Sequence, residues 1–324
     1  MNPSGEDARL LARADEWKGC ADDFSAVARS EGLEFATALL HGRILGAPAN
    51  AEFLRAARDA RQTARLDADL IGIVPGAFHR EHRDTGADGT RLLAIAREAG
   101  CEAEVIPVAS FGSLDENART IHGWLAAHCG RRIALVSLSK GGTDVKRALS
   151  LPGADAAFSS VAAWVSLSGI VQGTPLIEWL RARPLRWWSV RMLLWWRGHP
   201  RQTLEDLRHG PGTPLATWPV LPANLSVVHV CGFPLRRHLA HPWASRAYER
   251  LAPLGPNDGG GILLADTLAL PGIVCPVWGA DHYLAPRWDV RPLLKGIVAA
   301  ALAPRHASQS ASQPSSAPAT RSSA

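Results

Sequence analysis

Cysteines are few in this chain of 324 residues, and no two of them form a C-x-x-C pair. The five are scattered and odd in number, at Cys20, Cys101, Cys129, Cys231 and Cys275. Zinc sites and disulfide frameworks need regular spacings, so the pattern indicates neither. We expect these side chains to be buried like other small apolar groups.

Long apolar runs are missing as well. No run is long enough to cross a bilayer, and the opening MNPSGEDARLLARADEW holds acidic side chains and no stretch of signal-peptide length. We therefore predict a soluble, cytoplasmic protein.

Basic charge is present but not concentrated. The formal net charge of +5 comes from arginines spread along the chain and not from a lysine-rich block. Nucleic-acid-binding domains more often show a basic stripe with a recognisable motif. We expect no nucleic-acid partner, whereas acidic substrates and anionic surfaces stay compatible with the charge.

Short apolar runs alternate with helical segments through most of the chain. Continuous runs of strand length are typical of strands buried on both faces. They predict an α/β fold with a mostly parallel central sheet and helices on both faces. The runs are LIGIV from residue 70, EVIPV at 104–108, IALVSL at 133–138, VAAWVSL at 161–167, LSVVHV at 225–230 and GIVCPV at 272–277.

Composition divides the chain into three parts. Residues 1–66 are rich in Ala, Leu, Arg and Glu at helical spacing and predict an N-terminal helical extension. Residues 67–304 hold the α/β domain, with a predicted helical cap insertion at about 170–224. Residues 305–324 are rich in Ser, Ala, Pro and Gln and are predicted to be disordered, because they cannot bury a core.

The segment SLSKG at residues 137–141 has the form of a nucleophile elbow. An apolar strand ends there, small residues stand two positions before and after Ser139, and a helical pattern follows. Ser137 replaces the usual first glycine, so an ordinary strand followed by a Gly-Gly helix start is the alternative. Ser168 also follows an apolar run, but Ile170 stands two positions later and no helix begins there, so we reject it as nucleophile.

Four short motifs follow the predicted strands in a specific order. They are PGAF at residues 75–78, SLSKGG at 137–142, NDG at 257–259 and GADH at 279–282. With these motifs the chain resembles the α/β-hydrolase superfamily, and within it the lipase- and esterase-like serine hydrolases. That fold uses the order nucleophile, acid, histidine. The resemblance covers residues 70–302, and GTPL at 173–176 is a further lipase-like feature.

The resemblance implies a catalytic triad. Ser139 would be the nucleophile, and His282 would be its base because it follows the last predicted strand at the sheet edge where the elbow lies. Asp258 is the favoured acid, since NDG is a tight-turn sequence and several lipases present their acid in this way. Asp266 is the runner-up, whereas Asp281 is badly placed to orient the ring of its neighbour His282. For His282 the alternative is an ordinary surface-loop histidine, and for Asp258 it is a simple surface turn.

Backbone amides would form the oxyanion hole. The helix after Ser139 places the N–H of Lys140 at a helix N-terminus, where peptide dipoles favour negative charge. The resemblance maps the His-Gly of many lipases onto residues 75–76 and points to the N–H of Ala77, or less strongly of Phe78. This chemistry requires no cofactor and no metal ion.

A metal site is the rival interpretation of the loop FHREHRD at residues 78–84. His79, Glu81, His82 and Asp84 are candidate ligands. Their spacing matches neither H-x-x-E-H nor H-E-x-x-H, and no further ligand cluster is evident. We predict a solvated polar loop at the mouth of the site.

The predicted cap contains WLRARPLRWWSVRMLLWWRGH at residues 179–199. Aromatic residues and leucines mixed with arginines suit a helix that covers an apolar acyl pocket or rests on a lipid surface. Packing of the cap onto the core is the alternative. We expect an ester substrate with an apolar acyl or alkyl part and peripheral lipid contact through the cap.

Together these features predict a serine hydrolase that cleaves a carboxylic ester through an acyl-enzyme. Acyl transfer is the first alternative, because an alcohol or amine can replace water with the same triad. A non-catalytic α/β-hydrolase-like protein that binds a membrane or partner through the cap is the second.

Overall fold

A single parallel sheet forms the centre of the molecule. The computed structural model describes residues 4–19, 22–62, 66–239, 241–284 and 289–303. Every neighbouring pair of strands is parallel, in the order β2-β1-β3-β4-β5-β6. The strands are β1 (Leu70–Val74), β2 (Ala103–Val105), β3 (Ile133–Leu138), β4 (Val161–Leu167), β5 (Ser226–Phe233) and β6 (Ile273–Trp278).

Helices occupy the connections between the strands and the segment before them. Those in the described residues are α1 (Gly5–Asp15), α2 (Phe24–Glu31), α3 (Leu33–Gly46), α4 (Pro48–Asp59), α5 (Thr90–Glu98), α6 (Leu114–Ala127), α7 (Lys140–Leu149), α8 (Ala154–Ala157), α9 (Pro175–Arg181), α10 (Pro184–Trp196), α11 (Gln202–Asp206), α12 (Pro242–Leu251) and α13 (Arg291–Leu302).

Both faces of the sheet are covered, which explains the continuous apolar runs. Successive residues of β1 point to opposite sides, with Ile71 and Ile73 in one core cluster and Leu70 and Val74 in another. Helices α4, α5 and α13 contribute to the first cluster, and α6 and α7 to the second. The predicted α/β class is confirmed, and the sheet is parallel throughout.

The N-terminal helices pack directly onto the sheet. Helix α3 contacts β6, and α4 contacts α13. Phe35 of α3 is buried in the same cluster as Phe233 and Trp278 at the ends of β5 and β6. Arg237, just after β5, donates hydrogen bonds to Asp7 at 2.5 Å and to Glu34 at 2.8 Å. Helices α1 to α4 therefore share the core of the α/β domain.

The connection between β4 and β5, where the cap insertion is predicted, contains α9, α10 and α11. We call this connection the cap. Helix α10 buries only Leu194. Several of its large apolar side chains face outward, with exposed fractions of 86% for Leu185, 66% for Trp188, 58% for Trp195 and 78% for Trp196. The cap thus presents aromatic surface to solvent.

The cysteine prediction holds in part. Cys101, Cys231 and Cys275 are buried, but Cys129 is exposed in the turn after α6, which corrects our expectation. Cys20 and the predicted disordered tail at 305–324 lie outside the described residues. Across the described part of the chain, no helix combines the length and the apolar character needed to cross a membrane.

Candidate active site

Ser139 lies at a sharp turn between β3 and α7. Its φ of +48° and ψ of −115° fall where non-glycine residues are uncommon. The packing explains the small neighbours, because a Cβ atom on Gly141 would lie 2.5 Å from the carbonyl oxygen of Val74. Ser137, in place of the usual glycine, has its own role: its hydroxyl accepts a hydrogen bond from Trp164 Nε1 at 2.9 Å.

His282 lies in the turn after β6 and contacts the serine. Its Nε2 is 2.9 Å from Ser139 Oγ, and its Nδ1 is 2.5 Å from Asp258 Oδ2. The side chain of His282 is 6% exposed and that of Asp258 is fully buried. The structure therefore brings the three predicted triad residues into one hydrogen-bonded row.

Asp258 is held by the backbone of its own turn. Its Oδ1 accepts hydrogen bonds from the amides of Gly260, Gly261 and Ile262 at 2.9, 3.0 and 3.0 Å. The backbone amide of His282 also donates to the Asp258 carbonyl at 2.8 Å. These bonds leave Oδ2 directed at the imidazole and join two segments 24 residues apart.

The protonation of His282 reflects opposing effects. Burial works to lower its pKa, but the charge of Asp258 and the hydrogen bond to Nδ1 outweigh burial, and Asp281 adds to them. The pKa of His282 is therefore raised above its usual value of 6.5. A raised pKa makes the imidazole a stronger acceptor for the serine proton.

A cavity of about 380 Å³ opens onto Ser139 and His282. Much of its wall is apolar, with side chains from β3, β4, α9 and the turn after β6. Those side chains are Leu138, Leu167, Leu176 and Leu284. The space beside the hydroxyl is therefore suited to the hydrocarbon part of a substrate.

No protein-family model matches this chain, and no curated protein sequence matches it. Among solved structures, the metagenomic carboxyl esterase MGS0156 is similar with a TM-score of 0.51 and 21% identity, over 73% of this chain and 76% of that one. The propeptide form of Bacillus licheniformis lipase BlEst2 is similar with a TM-score of 0.50 and 17% identity, over 69% of this chain and 47% of that one. The chain has the α/β-hydrolase fold.

Two residues are predicted to supply oxyanion-hole amides: Lys140, which follows Ser139 in the chain, and Ala77, which lines the same cavity as Ser139. Lys140 is the first residue of α7, so its N–H has no acceptor within the helix. Ala77 lines the cavity. The Phe78 amide donates instead to the Ser110 carbonyl at 2.9 Å, so Ala77 is the better candidate of the two.

The remaining acidic candidates have other partners. Asp266 Oδ2 lies 2.8 Å from Nε2 of His209, so Asp266 pairs with a different histidine. Asp281 Oδ1 accepts a hydrogen bond from the Tyr283 amide at 3.0 Å, and burial raises the pKa of its carboxyl. Asp258 is the carboxylate that contacts His282.

Ser168, rejected above as nucleophile, has a positive φ like that of Ser139. Its φ is +45°, yet it is buried and its Oγ bonds to none of the described residues. Ser139 differs from Ser168 because its hydroxyl is hydrogen-bonded to His282.

Two of the candidate ligands in the loop at residues 78–84 bond to other parts of the chain. His79 Nδ1 lies 3.0 Å from the Gly76 carbonyl, and Glu81 accepts a hydrogen bond from Ser110 Oγ at 2.5 Å. Among the residues that the structure describes, no group of three or more His, Cys, Asp or Glu side chains is arranged to hold a metal ion. His82 instead lines the mouth of the cavity.

Several cavity residues were missed by sequence reasoning. Trp243 and Arg250 reach the cavity from α12, and Tyr283 follows His282. Arg91 of α5 donates hydrogen bonds to the carbonyls of Tyr283 and Leu284 at 3.1 and 3.2 Å, which anchors the turn that carries His282. No sequence motif marks these positions, because tertiary packing alone brings α5 and α12 to this edge.

Proposed function

We propose that this α/β-hydrolase is a serine hydrolase that cleaves carboxylic esters. The observation that carries the proposal is the row from Ser139 Oγ through His282 to Asp258, with distances of 2.9 and 2.5 Å, at a strained turn beside an open cavity. The esterase and lipase of similar fold are consistent with it.

The geometry supports a two-step reaction. His282 Nε2 takes the proton of Ser139 as Oγ attacks the ester carbonyl, while Asp258 orients the ring and stabilises the imidazolium. The N–H groups of Lys140 and Ala77 stabilise the oxyanion. The proton then passes to the leaving alcohol as the C–O bond breaks, and water attacks the acyl-enzyme by the same route in reverse.

The substrate would carry an apolar acyl or alkyl part, because leucine side chains line the cavity next to Ser139. Octanoyl esters of p-nitrophenol should be hydrolysed with a higher kcat/KM than acetyl esters. A preference for the acetyl ester would contradict this substrate class.

The cap would contact a lipid surface. The exposed tryptophans of α10, together with arginines of the same segment, form the kind of mixed surface that favours lipid headgroup boundaries. Residence in the cytoplasm remains a prediction.

Labelling with a fluorophosphonate probe tests the reaction. We expect the wild-type protein to be labelled and to release p-nitrophenol from its esters, and Ser139→Ala and His282→Ala to do neither. Ser168→Ala is the matched control and should be labelled normally. A folded wild-type protein without labelling or turnover would favour the binding protein, and turnover only with an added alcohol or amine would favour acyl transfer.

A further inference from the structure

Three arginines surround Trp179 beside the active-site cavity, and a fourth arginine lies close to them on α12. The guanidinium groups of Arg183, Arg250 and Arg186 lie 3.9, 4.5 and 5.4 Å from the ring centroid of Trp179. Arg246, one helical turn before Arg250 on α12, lies 5.6 Å from the ring of Trp243. We call these four side chains the arginine cluster.

The acidic residues that share the second cavity with the arginine cluster pair with other arginines. Glu178 pairs with Arg208 at 2.9 Å and with Arg181 at 3.7 Å, and Glu249 pairs with Arg236 at 2.9 Å. In the part of the chain that the structure describes, no carboxylate oxygen lies within 4.0 Å of the cluster.

The like charges affect one another. The pKa of Arg250 is lowered, first by burial and then by the charges of Arg186, Arg246 and Arg183. An arginine remains protonated at neutral pH in any case, so the repulsion is present in the free protein. A bound anion would relieve it.

Arg250 joins the cluster to the catalytic residues. It lines the cavity that contains Ser139 and His282, and it also lines an adjoining open cavity of about 710 Å³. Trp179, Arg183 and Arg246 line that second cavity as well. Because the two cavities share Arg250, the arginine cluster borders the cavity that contains the serine.

We propose that the arginine cluster is a subsite for a phosphate group carried by the ester substrate. Its apolar acyl chain would lie beside Ser139, and its phosphorylated alcohol part would extend toward Trp179. Guanidinium groups bind phosphate oxygens through paired, charge-assisted hydrogen bonds, and several cations suit a dianion better than a single carboxylate. This inference rests on the proposed ester hydrolase and adds its substrate class.

A matched pair of soluble esters tests the subsite without a lipid surface. The two are 1-butyrylglycerol and 1-butyrylglycerol 3-phosphate, which share one acyl group. We expect the wild-type protein to have the higher kcat/KM on the phosphorylated ester. In Arg250→Gln the ratio of the two kcat/KM values should fall about tenfold or more, the size expected for losing a charge-assisted hydrogen bond.

Further variants control for folding and for general charge. Arg183→Gln and Arg246→Gln should also lower the ratio, and their positions in different segments, just before α10 and on α12, guard against a local folding defect. Arg97→Gln, at an exposed position on α5, should leave the ratio and the activity unchanged. Equal kcat/KM values on the two esters in the wild-type protein would overturn the proposal.

Binding to the Ser139→Ala protein separates this inference from the proposed reaction. Calorimetry should show binding of 1-butyrylglycerol 3-phosphate that weakens in Ser139→Ala/Arg250→Gln. If wild type hydrolyses no ester while this binding persists, the reaction is wrong and the subsite stands. If the arginine variants weaken binding to phosphatidylglycerol vesicles and leave the ester ratio unchanged, the cluster serves a membrane surface and the subsite is wrong.

Discussion

Gly260 shows how closely the turn that carries Asp258 packs on His282. A Cβ atom at this position would lie 1.9 Å from Cγ of His282, far inside van der Waals contact. The same residue donates its amide to Asp258. Gly260 therefore both orients the Asp258 carboxylate and leaves room for the imidazole of His282.

Replacing Gly260 with alanine should abolish most ester hydrolysis, because the ring of His282 must move away from Ser139. A displacement of about 1 Å in such a site costs on the order of a hundredfold in rate. The measurement is kcat on a p-nitrophenyl ester, alongside thermal unfolding. Gly123→Ala is the control, since a Cβ atom there meets nothing within 4 Å. Normal turnover in Gly260→Ala would contradict the assigned role of His282.

The pH dependence of kcat/KM should report the raised pKa of His282. The base must be neutral to accept the serine proton, so activity should fall as the pH drops through a midpoint above 6.5. Asp258→Asn should shift this midpoint to lower pH, because the carboxylate that raises the pKa is gone while burial remains. It should also lower kcat by a factor on the order of a thousand or more.

Asp266→Asn is the matched control, since Asp266 pairs with His209. Its profile should follow the wild type. An unchanged midpoint in Asp258→Asn would exclude Asp258 as the acid.

Helix α7 is anchored by a buried ion pair directly behind the elbow. Lys140 Nζ lies 2.7 Å from Asp144 Oδ1, and both side chains are at most 2% exposed. Asn117 of α6 donates to Asp144 Oδ2 at 2.9 Å and bonds both backbone polar groups of Ala109. Burial raises the pKa of Asp144, while Lys140 and Asn117 act against burial. This network links the helix after Ser139 to the loop whose Ser110 carbonyl accepts the Phe78 amide.

Removing one partner of this ion pair should lower the stability of the protein. Lys140→Met leaves the Asp144 carboxylate buried without its counter-charge, and we expect the free energy of unfolding to fall by about 3–5 kcal/mol. Urea denaturation measures this. The double variant Lys140→Met/Asp144→Leu should recover much of the loss, because neither charge is then buried alone. A single variant as stable as the wild type would show that the pair contributes nothing to holding α7.

The core and the cap hold large apolar side chains in different environments, buried in one and exposed in the other. The N-terminal helices bury Phe35 to 2% exposure in a cluster shared with the ends of β5 and β6. The cap exposes Trp196 to 78%. Stability therefore depends on residues outside the elbow and triad segments, while the cap holds apolar surface that folding does not require.

Two truncations to alanine should separate these regions. Phe35→Ala should lower the free energy of unfolding by about 3–5 kcal/mol, as for other buried aromatic residues. Trp196→Ala should change it by no more than about 0.5 kcal/mol, because its side chain is exposed. Chemical denaturation of both variants gives the comparison. A large loss in Trp196→Ala would indicate that the cap packs more tightly than its exposure suggests.

The local sequence pattern was sufficient to predict the strands of the sheet and the nucleophile elbow at Ser139. Period and length of the apolar runs predict the strands, because strands covered on both faces must be apolar throughout. The small residues around Ser139 predict the turn, because strand and helix approach closely there. In both cases the pattern stands in residues near in sequence, although the contact that requires it, such as that of Gly141 with the Val74 carbonyl, is tertiary.

Contacts between segments that are distant in sequence were decided by tertiary packing. Sequence left Asp258 and Asp266 open as partners of His282, and only the folded turn shows that Asp258 reaches the ring. The sequence predicts the N-terminal helices as an extension of the α/β domain. In the structure they also complete its core, because their apolar faces contact β5 and β6. The arginine cluster is dispersed over α10, α12 and the residue before α10, so its charge exists as one feature only after the chain folds.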